Sequence, residues 1–187
     1  PAGAIPSRMM FTTNSPNAKI WASVVAEKLG IPLDVDVING VSNTINGGNY
    51  AQGGSRVSNP IGVSNNPAIG ITTIPVTEQI DRLLADTPTF NRNDLVALWA
   101  GSNDGFIQFA TVAVGAITPQ VALAEMSTAA TQLLAQIDRL KAAGAQNIVV
   151  ITVPNLGVTP QAQIIEDGSV SGTPAPGSIA LLTALSD

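Results

Sequence analysis

Two short stretches of this chain carry residue types suited to holding a developing negative charge. The first is Asn49-Tyr50-Ala51-Gln52-Gly53-Gly54-Ser55. Paired glycines admit backbone angles closed to other residues and leave main-chain N–H groups open to a ligand. The second is Gly101-Ser102-Asn103-Asp104, placed directly after the apolar run Asp94 to Ala100 (DLVALWA). An asparagine at the end of a strand can point its amide across the top of a sheet. A free backbone N–H and an Asn amide are together the parts of an oxyanion hole. Each stretch alone is weak. A Gly-Gly pair is usually a plain turn, and Gly-x-Asn-Asp after a strand is usually a turn or a helix cap. Their occurrence in this order, with Trp99 and a buried strand before the second, is more specific.

The chemistry that the chain lacks is equally informative. Among its 187 residues there is no histidine and no cysteine. Thiol catalysis, disulfides and zinc–thiolate sites are excluded. A serine hydrolase needs a general base with a pKa near working pH, and histidine is the usual one. This chain by itself cannot supply a Ser-His-Asp triad. No cofactor or metal is expected.

Composition sets the wider frame. Hydrophobic residues make up 45% and charged residues 11%, which is enough apolar material for a packed core. The net charge of -5 comes without a block of like charge. Nothing draws the chain to nucleic acid or to an anionic membrane surface. No apolar run is long enough for a transmembrane helix, and the opening residues given do not read as a signal peptide.

The elements that must position the two stretches are readable from periodicity. Ser15 is expected to cap a helix with Pro16 at its first position. Ile20, Trp21, Val24, Val25 and Leu29 follow at helical spacing, and Gly30 stops it, giving a helix over about 16–29. Residues 33–72 read as short strands and long loops, a length that usually signals function. Val76, Ile80, Leu83 and Leu84 mark a helix ending near Asp86. The run 94–100 reads as a strand buried on both faces. Thr118-Pro119 opens a long helix closed by Gly144. The run 147–153 (NIVVITV) is a second buried strand, parallel to the first, and a last helix covers about 177–186. Strands alternating with helices predict one α/β domain over 1–187, with a parallel sheet covered by helices on both faces.

The motifs resemble those of the GDSL, or SGNH, ester hydrolases, most closely the autotransporter-type esterases and lipases of bacteria. NYAQGGSRV (Asn49 to Val57) resembles the family's second block, and LWAGSNDGF (Leu98 to Phe106) its third, Gly-x-Asn-Asp. Met10 to Gly30 resembles the stretch after the nucleophile block, and VITVPNLGVTP (Val150 to Pro160) the strand and loop after the long helix. The resemblance implies a flavodoxin-like three-layer sandwich. By that resemblance Asn49 would open the second block, Gly54 would supply the oxyanion N–H with Gly53 as fallback donor, and Asn103 would supply the amide. Asp104 is expected to cap or fix the turn rather than to react. Gly54 N and the Asn103 amide should converge on a common point.

The family's Gly-Asp-Ser block and its Asp-x-x-His block are not in the sequence. Ser15, Ser55 and Ser102 have no Gly-Asp before them. The chain is therefore expected to be an internal piece of a secreted or bacterial-surface enzyme, truncated at both ends and inactive alone. Its substrate would be a lipid or short acyl ester, and its partners the remaining segments of its parent. The alternative is a catalytically inactive binding domain of the same fold, or a structural segment of a surface protein.

Overall fold

A computed structural model describes residues 19–35, 37–38, 41–42, 47–63, 73–169 and 172–187. Helix α1 (Trp21–Leu29) is followed by four short strands: β1 (Asp34–Val35), β2 (Val37–Ile38), β3 (Val41–Ser42) and β4 (Gly47–Asn49). β1 pairs in parallel with β4, and β2 antiparallel with β3. Then come α2 (Val76–Asp86), β5 (Leu95–Trp99), α3 (Ser102–Ala113), α4 (Pro119–Ala142) and β6 (Asn147–Ile151). A 3₁₀ turn (Leu156–Val158), α5 (Pro160–Asp167) and α6 (Ser178–Ala184) complete the order. β5 and β6 pair in parallel, with Leu95 opposite Asn147 and Trp99 opposite Ile151. The expected parallel neighbours are thus present, and the architecture is α/β.

The helices form where their local signals are strongest. Thr118 caps α4 by accepting the Val121 N–H on its hydroxyl, with Pro119 at the first helical position. Arg139 and Lys141 lie in the last turn of α4, where positive charge complements the helix dipole. At the end of α1, the Gly30 N–H bonds to the Glu27 carbonyl and the Ile31 N–H to the Ala26 carbonyl, closing off two orphan carbonyls.

Two apolar clusters organise the packing. Val76 and Ile80 of α2, Val96 and Leu98 of β5, and Leu140 of α4 form the first, with Ala145. Phe109 of α3, Ala122 of α4, Leu156, Ala162 of α5, and Leu182 and Leu185 form the second. Helix α4 contributes its C-terminal end to one and its N-terminal end to the other. This long helix therefore links the strand pair to the α3–α5–α6 layer.

Four sequence expectations need correction. The expected helix over 16–29 begins at Trp21, because Ile20 is extended (φ -70°, ψ 155°); Ser15 and Pro16 lie outside the described residues. Strand 94–100 is not buried on both faces. Val96 and Leu98 point into the first cluster, whereas Leu95 and Trp99 are 45% and 52% exposed. On β6, the adjacent Val149 and Val150 are both exposed, so that strand is only partly covered on either face. Successive side chains of a strand face opposite ways, and α2 and α4 pack against one face. Among the described residues no element buries the other, so helices do not cover both faces there. The sequence reading assigns no helix to α3 or α5. Phe106, Phe109 and Val112 are the helical stripe of α3, hidden behind a Gly-Ser-Asn-Asp opening that looks like a turn. Helix α5 starts on Thr159-Pro160, the same signal as Thr118-Pro119: Thr159 accepts the Ala162 N–H.

Candidate functional site

The site is built where β5 ends. Gly101 turns the chain from strand to helix at φ 107°, a region that disfavours any side chain. Ser102, Asn103 and Asp104 then fall in the first turn of α3, at the carboxyl end of a parallel strand. That edge is where open α/β sheets bind ligands.

The other half of the site leaves β4. Asn49 accepts the Ala51 N–H on its own side chain, a local turn. Tyr50 donates its hydroxyl to Asp86 at the end of α2, 2.9 Å away. Gly53 and Gly54 form a turn, with Gly54 at φ 82°. The chain then runs through Ser55, Arg56 and Val57 alongside the start of α3.

Three bonds join the two halves. Asn103 Nδ2 donates to the Ser55 carbonyl at 2.8 Å. Arg56 Nε donates to Asp104 Oδ1 at 3.0 Å, and the Val57 N–H to Asp104 Oδ2 at 3.0 Å. Asp104 is 3% exposed. Its expected part as a local fixer of its own turn is corrected: both carboxylate oxygens bind residues of the first stretch. A buried charge needs partners of this kind, since leaving it unpaired is costly. Its place in the first turn of α3 adds the favourable end of the helix dipole.

The same segment is held from its other side by α2. The Val76 and Thr77 N–H groups, orphans at a helix start, donate to the Arg56 and Val57 carbonyls at 3.0 Å each. Buried Ser55 accepts a hydrogen bond from Gln79, which also donates to the Ile74 carbonyl. The Gly54 carbonyl accepts the Val63 N–H at 2.9 Å. Gly62 packs so close that a Cβ there would sit 2.1 Å from the Gly54 oxygen. Residues 54–57 are thus strapped between the N-termini of two helices and a returning loop.

The structure therefore brings Asn103 to within one residue of Gly54 along the chain, and Gly53 sits in the same turn. Ser55 is occupied by Gln79, and Ser102 is the first residue of α3. Sequence reasoning missed Arg56 and Gln79. One signal was available for Arg56: a cation close behind the glycine pair and an acid inside the Gly-x-Asn-Asp stretch, in a chain with only 8 Lys and Arg. For Gln79 there was none, since it sits on a helix face read only for its apolar residues. Among the described residues no group of three or more His, Cys, Asp or Glu is placed to hold a metal ion. No described helix is long and apolar enough to cross a membrane.

A parallel-paired α/β chain with a glycine turn and an asparagine meeting beyond its strand ends fits a particular class of fold and site. The model of the GDSL-like lipase/acylhydrolase family matches residues 8–183, and the chain belongs to that family. The curated protein "GDSL esterase/lipase 6" of Arabidopsis thaliana is 26% identical over 155 residues, covering 77% of this chain and 41% of its own length. The chain thus spans about two fifths of that relative. No solved structure matches the chain.

Proposed function

We propose that this chain is the oxyanion-stabilising part of a carboxylic-ester hydrolase that works by serine acyl transfer. The observation that carries the reading is the Asn103 Nδ2 bond to the Ser55 carbonyl, which docks the third-block asparagine against the second-block glycine turn. Membership of the lipase/acylhydrolase family supports it. The Gly54 N–H and the second N–H of Asn103 bind the oxyanion of the tetrahedral intermediate, with Gly53 as the alternative backbone donor. Such donors act only if each comes within about 3 Å of one oxygen.

The sequence contains no Gly-Asp-Ser and no Asp-x-x-His; in this reading the nucleophilic serine and that pair are supplied by other segments of the gene product. The serine attacks the ester carbonyl while the histidine takes its proton. The alcohol then leaves as the histidine returns that proton, and water releases the acyl group by the same route. The substrate is a lipid or short acyl ester. The whole is a flavodoxin-like three-layer domain of a secreted or surface enzyme, and the motif NYAQGGSRV favours the bacterial autotransporter type.

The test is turnover of a chromogenic short-chain ester by three proteins: this chain alone, the full-length gene product, and that product with Asn103→Ala. The expected result is turnover by the full-length protein only, strongly reduced by the substitution. A full-length protein that binds acyl esters without cleaving them would establish a binding domain instead. Serine-dependent turnover by the 187-residue chain would overturn the division of labour.

A further inference from the structure

The family resemblance assigns no role to Arg56, and Asp104 was expected only to fix its own turn. We propose that Arg56 and Asp104 are a positioning pair, setting the height of the Gly54 turn over the start of α3 so that backbone and side-chain donors reach the same oxygen. The inference deepens the hydrolase reading and rests on it.

The geometry is economical. Asp104 follows Asn103 directly, and Arg56 follows Ser55 directly. The Asn103–Ser55 bond and the Asp104–Arg56 pair are therefore adjacent rungs between the same two segments, at 2.8 and 3.0 Å. A third rung, from the Val57 N–H to the second oxygen of Asp104, stops the carboxylate from rotating about the first contact. The pair is shielded, with the Arg56 side chain 12% and the Asp104 side chain 4% exposed. Water thus competes poorly for either partner. Buried ion pairs contribute little net stability compared with apolar packing, but they are selective about geometry. A carboxylate that satisfies a guanidinium and a main-chain N–H together tolerates little displacement of the loop.

That selectivity matters because an oxyanion donor works only at the right distance. A misplacement of about 1 Å can cost on the order of 10²-fold in rate. Neither Arg56 nor Asp104 has a free role in proton transfer here: both carboxylate oxygens of Asp104 are engaged. They act through Gly54 and Asn103.

The experiment uses the full-length gene product with Arg56→Met, Arg56→Lys and Asp104→Asn. Arg56→Met keeps most of the apolar stem and removes the guanidinium. Its kcat should fall roughly tenfold or more with KM within about threefold, the signature of a contact realised in the transition state. Arg56→Lys should recover part of that loss. Asp104→Asn should lose more, since it turns an acceptor into a donor facing either Arg56 or Val57. Hydrogen exchange supplies a readout independent of turnover. The Val57 amide, which donates to Asp104, should exchange faster in Arg56→Met while amides of α4 stay unchanged. An active parent whose Arg56→Met variant keeps its kcat overturns the positioning role alone. So does a variant in which α4 loosens together with the loop, for then the pair serves general stability. A full-length protein inert toward esters overturns the hydrolase reading, and this role in turnover with it.

Discussion

The side-chain amide of Asn103 donates to the carbonyl of Ser55, 48 residues earlier, at 2.8 Å. A carbonyl can only accept, so the atom facing it is Nδ2, and the orientation of the amide follows without ambiguity. One N–H of Asn103 is thereby spent on structure. The other remains for the reaction proposed above, held by a side chain whose torsion is already set. Preorganised donors of this sort avoid reorganisation at the moment of reaction.

Replacing Asn103 tests this directly. In the full-length enzyme, Asn103→Ala should lower kcat by roughly 10² to 10³, with KM changed little. Asn103→Asp should fare worse in folding, because it sets a carboxylate oxygen against the Ser55 carbonyl. Steady-state kinetics and thermal melts separate the two effects.

Gly62 is the tightest glycine against the site. A Cβ at this position meets the Gly54 carbonyl at 2.1 Å and Thr73 Oγ1 at 2.4 Å. The first contact is backbone and cannot swing away. Gly62→Ala should cost about 1–3 kcal/mol by overpacking and should displace the Gly54 turn. Urea unfolding of the 187-residue chain measures the first, and loss of turnover in the full-length protein the second.

Acid should loosen the junction between α5 and α6. Glu166 accepts the Ile179 N–H at 2.9 Å and the Gly177 N–H at 3.0 Å. These bonds, the Ile179 one first, hold its carboxyl below the ordinary value of 4.5. A depressed folded-state pKa means the contribution is complete above the unfolded value and is lost as pH falls through the folded one. The melting temperature should therefore drop below about pH 4.5, and Glu166→Gln should flatten part of that drop. Asp167 is lowered as well, chiefly by the Ser169 hydroxyl, so the double variant Glu166→Gln/Asp167→Asn should be flatter still. Melting curves at a series of acidic pH values give the comparison.

The first apolar cluster should be sensitive to cavity formation. Leu140 is fully buried among α2, β5 and α4. Leu140→Ala should cost about 2–5 kcal/mol. On the same helix, Leu134 is 61% exposed, and Leu134→Ala should change stability by less than about 0.5 kcal/mol. Equal losses from both, read by denaturant midpoints, would contradict the packing described.

Much of the scaffold was readable from local pattern. The apolar spacing of α2, the Thr118-Pro119 start of α4 and the runs of β5 and β6 each carry their signal within a few residues. Helix α3 escaped because its first turn is written in loop-like residues. The same four residues that could do chemistry disguised the element that carries them. Burial of β5 was misread for a related reason. An unbroken apolar run says that a strand is apolar on both faces, but not whether a neighbour arrives to cover each of them.

From the sequence alone came the kinds of group available: a glycine turn with free N–H groups, an asparagine behind a strand, and no histidine or cysteine in 187 residues. Only the tertiary structure decided the partners. Asp104 could have capped its own helix turn, yet it binds Arg56 and the Val57 N–H, 48 and 47 residues away. Local propensity is set by neighbours a turn apart. The choice of a distant partner depends on which segments the packing of α2, β5 and α3 brings to one edge, and on the cost of burying a carboxylate at that edge with nothing to bind.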